Sequence, residues 1–354
     1  MTIYCMDGLS GVIGLVEVFE SVIWNCQFYG YGDFELILPM SQESLDLLEP
    51  GRYLVRDIDM LTGGEFRNVM VIENIKISYS TEKGWMLNIT GSGLKKIIGR
   101  RVVWSQTNFT STNVETAIRS IITNNIISPS VSARAIGNFE LGTAVGFTDT
   151  FDAQVFSENI AEWVQATCET YGYGWDVYIK NGKYVFSLIK GTDRTYDQSS
   201  VDPVVFSPEY DNLVSAEYEY QKSDYSNVAL IGGEGEGTDQ VITSFGSASG
   251  LDRFETYVDG SSVSSNGEII TLATYISMLQ TYGKEQLTGS SFVEKFSGEI
   301  INNGMYELGV DYFLGDKVNI ILQGIQASSR IIELIYSEDA NGISIIPTFS
   351  EWEV

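Results

Sequence analysis

Runs in which apolar and polar side chains alternate recur along this chain, and most of them are closed by a glycine turn. Phe34-Glu35-Leu36-Ile37-Leu38 follows a break at Gly30-Tyr31-Gly32-Asp33 and puts Phe34, Leu36 and Leu38 on one face before Pro39 ends it. Trp85 to Thr90 alternates in the same way after Glu82-Lys83-Gly84, and a long strand is expected from Asn68 to Tyr79. Tyr173 to Ile179 and Tyr184 to Ile189 are joined through Lys180-Asn181-Gly182-Lys183, and Asn-Gly accepts the positive φ angles of a tight hairpin turn. A period of two suits only a pleated sheet with one face buried. With 35 Gly against 6 Pro, the turns needed to fold such strands back on themselves are in supply.

Helical periods interrupt this pattern at few places. Ser41 can cap a short helix over Gln42 to Leu48. Another short helix is expected to close the first β unit, over Gly91-Ser92-Gly93-Leu94-Lys95-Lys96-Ile97-Ile98-Gly99-Arg100-Arg101. Thr112-x-x-Glu115 has the spacing of a capping box, and Val114, Ile118, Ile121 and Ile122 form a stripe behind it. A second helix, capped near Ser157, carries Ile160, Trp163, Val164, Ala166 and Tyr171. A longer one is expected over 268–287, with Ile269, Leu272, Ala273, Ile276 and Leu279 as its apolar positions. Ser244 to Ser265 reads as an exposed Ser- and Gly-rich loop or extended arm.

With 354 residues the chain is long enough for two or three domains. The expected fold class is mainly β with an α+β insertion. Residues 1–103 and 214–240 would form a first small β-barrel or sandwich, 104–213 the inserted α+β domain, and 241–354 a second β-barrel with the helix at 268–287. Later strands are expected at Leu213 to Gln221, Asn227 to Ile231, Ser291 to Ile301, Lys317 to Leu322, Arg330 to Tyr336 and Ile343 to Pro347.

The chain contains no histidine, which removes Ser-His-Asp and Cys-His catalysis and the usual zinc sites. Its formal charge of −26 repels phosphate backbones and anionic membranes. Cys5, Cys26 and Cys168 are odd in number and far apart, which argues against a disulfide framework and fits a reducing compartment. The first residues lack a signal peptide's basic and apolar regions, and no apolar run reaches membrane-spanning length, so folding in the cytoplasm is expected.

Several motifs invite a chemical reading and do not sustain it. The cluster Gly232 to Gly237 follows a strand, but Glu234 and Glu236 would repel a phosphate. Glu17, Glu20, Asp33, Glu35, Glu217 and Glu219 recur at short spacing. A glycosidase, however, needs two carboxyls about 5 to 10 Å apart across a cleft, which strand spacing does not establish. Asp57-Ile58-Asp59 lacks the further ligand positions of a calcium loop and reads as a solvated turn. Tyr171, Tyr173 and Trp175 could stack on sugars, although in a β-rich chain such rings more often fill cores. No catalytic, cofactor-binding or metal-ligating residue is assigned, and no cofactor is expected.

Three stretches carry a family resemblance: Gly91 to Arg100, Asn227-Val228-Ala229-Leu230-Ile231-Gly232-Gly233-Glu234-Gly235-Glu236-Gly237, and Tyr312-Phe313-Leu314-Gly315-Asp316-Lys317-Val318 with Arg330-Ile331-Ile332-Glu333. Together they resemble the hub proteins of siphophage tails, including the amino-terminal hub part of tail-associated lysins, and the related baseplate hub of contractile tails. The resemblance implies a structural virion tail protein and not an enzyme. It implies a homotrimeric ring with two similar barrels per subunit, which adapts a hexameric tail tube or distal tail protein to a trimeric tip, spike or fibre. DNA would pass through its channel without tight binding, and no membrane insertion is expected. Many relatives continue into a lytic or fibre domain, whereas this chain stops at Glu351-Trp352-Glu353-Val354, so such parts are expected on other proteins. Two rival readings are a tail-tip cell-wall hydrolase using carboxylates and a carbohydrate-binding tail module.

Overall fold

The computed structural model describes residues 1–350 with the exception of 268, 291, 292, 301–304 and 324. The terminal Glu351 to Val354, the expected helix start at residue 268 and the ends of the expected strand Ser291 to Ile301 therefore lie outside the described residues.

The chain opens with β1 (Ile3–Met6), β2 (Val12–Val16), β3 (Ser21–Gln27) and β4 (Asp33–Pro39). Helix α1 (Gln42–Leu47) follows, with Ser41 as its cap: the Ser41 hydroxyl accepts from the Ser44 amide. Next come β5 (Tyr53–Arg56), the short β6 (Met60–Leu61) and β7 (Glu65–Phe66), and the long hairpin of β8 (Met70–Ser80) and β9 (Gly84–Gly93). A 3₁₀ turn over Leu94–Arg100 closes this unit, while Gly91 to Gly93 continue β9 instead of turning.

The middle of the chain holds β10 (Thr107–Asn113), α2 (Val114–Ile122), β11 (Phe139–Leu141), β12 (Thr150–Val155), α3 (Ile160–Tyr171) and the hairpin of β13 (Gly174–Lys180) and β14 (Lys183–Ile189). Asn181 and Gly182 sit at φ +50° and +71°, as the tight turn requires. Both helix starts differ from expectation. Asn113 caps α2, accepting from the Thr116 amide, and Asn159 caps α3, accepting from the Ala161 and Glu162 amides. Thr112 and Ser157 do not fill those roles, because Thr112 still pairs with Phe151 in the β10–β12 ladder and Ser157 lies before the turn.

Then follow β15 (Val205–Phe206), β16 (Glu217–Gln221), β17 (Val228–Gly232), β18 (Ile242–Phe245), β19 (Glu255–Asp259), α4 (Leu272–Thr288), β20 (Val293–Ser297), β21 (Lys317–Leu322), β22 (Ile325–Asp339) and β23 (Gly342–Phe349). The fold is mainly β with α+β parts. One series of paired strands runs β16-β20-β23-β22-β3-β4-β9-β8-β5-β1-β2, with β21 pairing β22 and β15 pairing β21. The join is antiparallel pairing of β22 with β3, from Glu333↔Gln27 to Glu338↔Val22. Strands from the two ends of the sequence thus share one ladder.

The stretch 214–240, expected beside the first β unit, is divided: β16 pairs with β20, whereas β17 pairs with β18 and β19. The reason is the stripe on α4. Tyr275, Met278 and Leu279 need an apolar sheet face, and Ala229, Ile231 and Val258 supply it in a small core of their own. Within Ser244 to Ser265, a stretch expected as an exposed loop or extended arm, Glu255–Asp259 forms β19.

Two larger cores lie on opposite faces of the first β unit. Tyr53, Val55, Val69 and Val71 pack with α2, α3 and β13, whereas Leu54, Met70 and Ile72 pack with Phe206, Ile320, Leu334 and Phe349. Every residue of β5 is buried for this reason. A strand covered on both faces presents a continuous apolar run in place of alternation.

Candidate functional site

Phe28 follows directly on β3 and is 1% exposed. A Cβ on Gly174 at the start of β13 would run into its ring, and so would one on Gly315 ahead of β21. The Arg330 guanidinium lies 5.3 Å from the ring centroid on β22. One side chain therefore seats the first β unit, the α+β unit and the carboxy-terminal strands against each other, and glycine is required on two sides of it.

Beside Phe28 opens a cleft of about 610 Å³, lined by the 57–61 turn, Trp175 and Asp176 of β13, the 307–314 loop and residues of β22 and β23. Its charged groups are largely committed. Asp59 of the lining accepts from Nε of Arg56, which is fully buried behind the cleft, at 2.5 Å, and its other oxygen accepts from Asn68 at 2.7 Å. The guanidinium stacks 3.8 Å from the Tyr336 ring centroid. Burial alone would lower the Arg56 pKa, and Asp59 with the neighbouring Cys26 and Tyr336 reverses the direction. Arg67 is held by Glu65 at 2.6 Å and Asp176 at 3.2 Å and lies 3.3 Å from the Tyr178 ring centroid, while Lys180 shares Glu65.

Lys95, from the Gly91 to Arg100 stretch, points its ammonium at backbone. Its Nζ donates to the carbonyls of Gln27 at 2.5 Å, Gly30 at 3.0 Å and Phe28 at 3.4 Å. Burial lowers this ammonium to about 8, against a weaker opposing pull from Asp176. It holds the bend between β3 and β4 in place.

Asp316, from the third stretch, plays a similar part on the other side of Phe28. One oxygen accepts from the Thr192 amide at 2.7 Å, and the other from Arg194 Nε at 2.7 Å and the Phe313 amide at 3.1 Å. The second stretch, with its glycine cluster, is tied shut. The Glu234 carboxylate accepts from the Ser264 hydroxyl at 2.7 Å and from the Ser265 hydroxyl at 2.6 Å and amide at 3.1 Å, which holds it below the usual carboxylate range.

None of the short-spaced carboxylates lines the cleft. Glu20 pairs with Lys83, Glu35 accepts from Asn88 at 2.6 Å, and Glu217 and Glu219 lie on β16 at the far end of the sheet. The reading of Asp57-Ile58-Asp59 as a solvated turn holds for exposed Asp57 but fails for Asp59, which is buried against Arg56. Tyr173 and Trp175 are buried, the Trp175 indole donating to the Tyr29 carbonyl at 2.6 Å, and Tyr171 packs under Lys284. Their stacking surface is spent inside the protein. Among the described residues no group of three or more Cys, Asp or Glu side chains is placed to hold a metal ion, and no helix is long and apolar enough to cross a membrane. Sequence reasoning missed Phe28, Arg56 and Lys95 as junction residues, since nothing local marks a contact made across the whole chain.

The fold is that of phage tail proteins. The 43 kDa tail protein of prophage MuSo2 from Shewanella oneidensis superposes with a TM-score of 0.61 at 13% identity, covering 99% of this chain and 98% of that one. The tail protein from Neisseria meningitidis MC58 gives 0.59 at 14% identity, over 99% and 96%. Prophage tail protein gp18 from Listeria monocytogenes EGD-e gives 0.52 at 12%, over 98% and 94%. No curated relative matches the chain. The chain belongs to the Siphovirus ReqiPepy6 Gp37-like protein family, whose profile matches residues 1–349.

Proposed function

We propose that this tail protein is a hub that closes into a homotrimeric ring, joining a tail tube or distal tail protein to a tip, spike or fibre and leaving a channel for DNA. The observation that carries this reading is the long strand series, which ends at β2 on one side and β16 on the other. Val12, Ile13 and Leu15 of β2 are each more than 40% exposed, as are Tyr218 and Tyr220 of β16. Two unlike strand edges on one molecule suit head-to-tail contact, which closes into a ring when the rotation allows. The net charge of −26 suits a channel that DNA must traverse without adhering.

The chain acts in this reading by shape and not by chemistry, and it is assembled into the virion tail within the host cytoplasm. The domain division that suits it is a platform of β1–β9 with β15, β16 and β20–β23, an α+β domain over 104–189 covering one face, and a small β17–α4 domain. Mass photometry of the purified chain should give a species near three times the 39.2 kDa subunit mass. A single peak at the subunit mass, both free and within isolated tail tips, would overturn the trimer. Incubation with purified cell walls should release no fragments.

A further inference from the structure

The cleft beside Phe28 has a division of charge that its apolar floor does not explain. Its cations are engaged: Arg67 by Glu65 and Asp176, the Met1 ammonium by Glu338 at 2.7 Å, and Lys95 by three carbonyls. Two carboxylates at its edge, Asp57 and Glu307, are exposed and have no basic partner among the described residues; Asp57 accepts only from the adjacent Ile58 amide. The same cleft is lined by exposed apolar side chains, Ile58 at 58% and Phe313 at 46%, and by buried ones that include Leu334 and Tyr336.

We propose that this cleft is a docking site for a segment of another tail protein that carries a large apolar side chain next to a lysine or arginine. The volume suits a few side chains and not a whole element. The charge argument selects the occupant. An acidic segment would meet two unpaired carboxylates and find no free cation, whereas a basic one neutralises both at the rim as its apolar neighbour displaces water from the floor. A second copy of this chain is a poor source of such a segment, since it carries 47 acidic against 21 basic residues. The proposal rests on the chain being a tail assembly part, and does not require the trimer.

The test uses the full-length chain and three fluorescein-labelled ten-residue peptides, read by anisotropy. One alternates Lys with Phe and Leu, one replaces each Lys by Glu, and one keeps the Lys but replaces every apolar residue by Ser. Only the first should bind, and its affinity should fall as salt rises. Binding should drop at least tenfold in the Asp57→Asn, Glu307→Gln double variant and in Ile58→Trp, which fills the mouth. All three positions are exposed, so folding is retained, and mass photometry of the variants should match wild type. The Glu82→Gln, Glu236→Gln variant, at two exposed positions away from the cleft and from both strand edges, should bind as wild type does. Equal binding of both Lys peptides, preference for the Glu peptide, or indifference to the cleft substitutions would overturn the proposal. A change of oligomeric state alone would bear on the ring and not on the cleft.

Discussion

Replacing Asp316 by alanine should release the 190–196 segment from the carboxy-terminal strands while leaving the rest of the sheet paired. Asp316 is 2% exposed and satisfies two backbone amides and the Arg194 guanidinium, whose side chain is itself 15% exposed. Breaking a buried ion pair by removing one partner costs about 3–5 kcal/mol, because the remaining charge is left uncompensated. The Thr192 and Phe313 amides would lose charge-assisted bonds worth about 1.5–3 kcal/mol each, although water admitted to the gap recovers part of this. A net loss of about 4 kcal/mol follows, which at roughly 1.4 kcal/mol per decade corresponds to about a thousandfold change in an opening equilibrium. Hydrogen exchange on peptides spanning 190–196 and 311–316 should quicken by about that factor. Asp316→Asn retains the acceptor for Thr192 but turns an amide toward Arg194, and should give an intermediate effect. Exchange within tenfold of wild type in Asp316→Ala would refute the clamp.

Three other outcomes follow from buried or partly buried charges. Glu115 accepts from the Val145 and Gly146 amides at 2.7 Å and Phe147 at 3.0 Å, so Glu115→Ala should cost about 2–4 kcal/mol in urea denaturation, with Glu115→Gln losing about half as much. Arg56→Met should cost about 3–5 kcal/mol by stranding Asp59, and adding Asp59→Asn should recover most of it in a double-mutant cycle. Glu285 on α4 faces Glu158, Lys284 and Tyr282, and burial first, then Glu158, raises it from 4.5 to about 8. A raised carboxyl favours the folded state below pH 4.5 and loses that contribution as pH climbs through 8. Glu285→Gln should therefore raise the melting temperature at pH 8.5 and leave it nearly unchanged at pH 4.5.

Much of the local structure was legible because its causes are local. Asn181-Gly182 specified its hairpin, Ser41 its helix, and the period of Ile118, Ile121 and Ile122 the buried face of α2. The cap of α2 was misplaced by one residue because Thr112 and Asn113 are both good caps, and the β10–β12 ladder decides between them. Glu115, read as the far half of a capping box, instead gathers the 145–147 amides from a loop that no spacing rule connects to it. β19 was hidden by Ser- and Gly-rich flanks, since its pairing with β17 does not show in its own composition. The junction at Phe28 depends on Gly174 from the middle of the chain and on Gly315 and Arg330 from its carboxy-terminal part, all far from Phe28 in sequence.

That dispersal has a consequence for how the molecule is made. β3 cannot acquire its second ladder, nor Phe28 its full enclosure, until residues near 330–338 have left the ribosome. At about 5–20 residues per second, translation leaves that flank of the first sheet bare for roughly fifteen to sixty seconds. During that interval Val22, Trp24 and Cys26 present a sticky ribbon to any other nascent strand. Yield of the native protein should thus fall as synthesis of the chain between β3 and β22 is slowed.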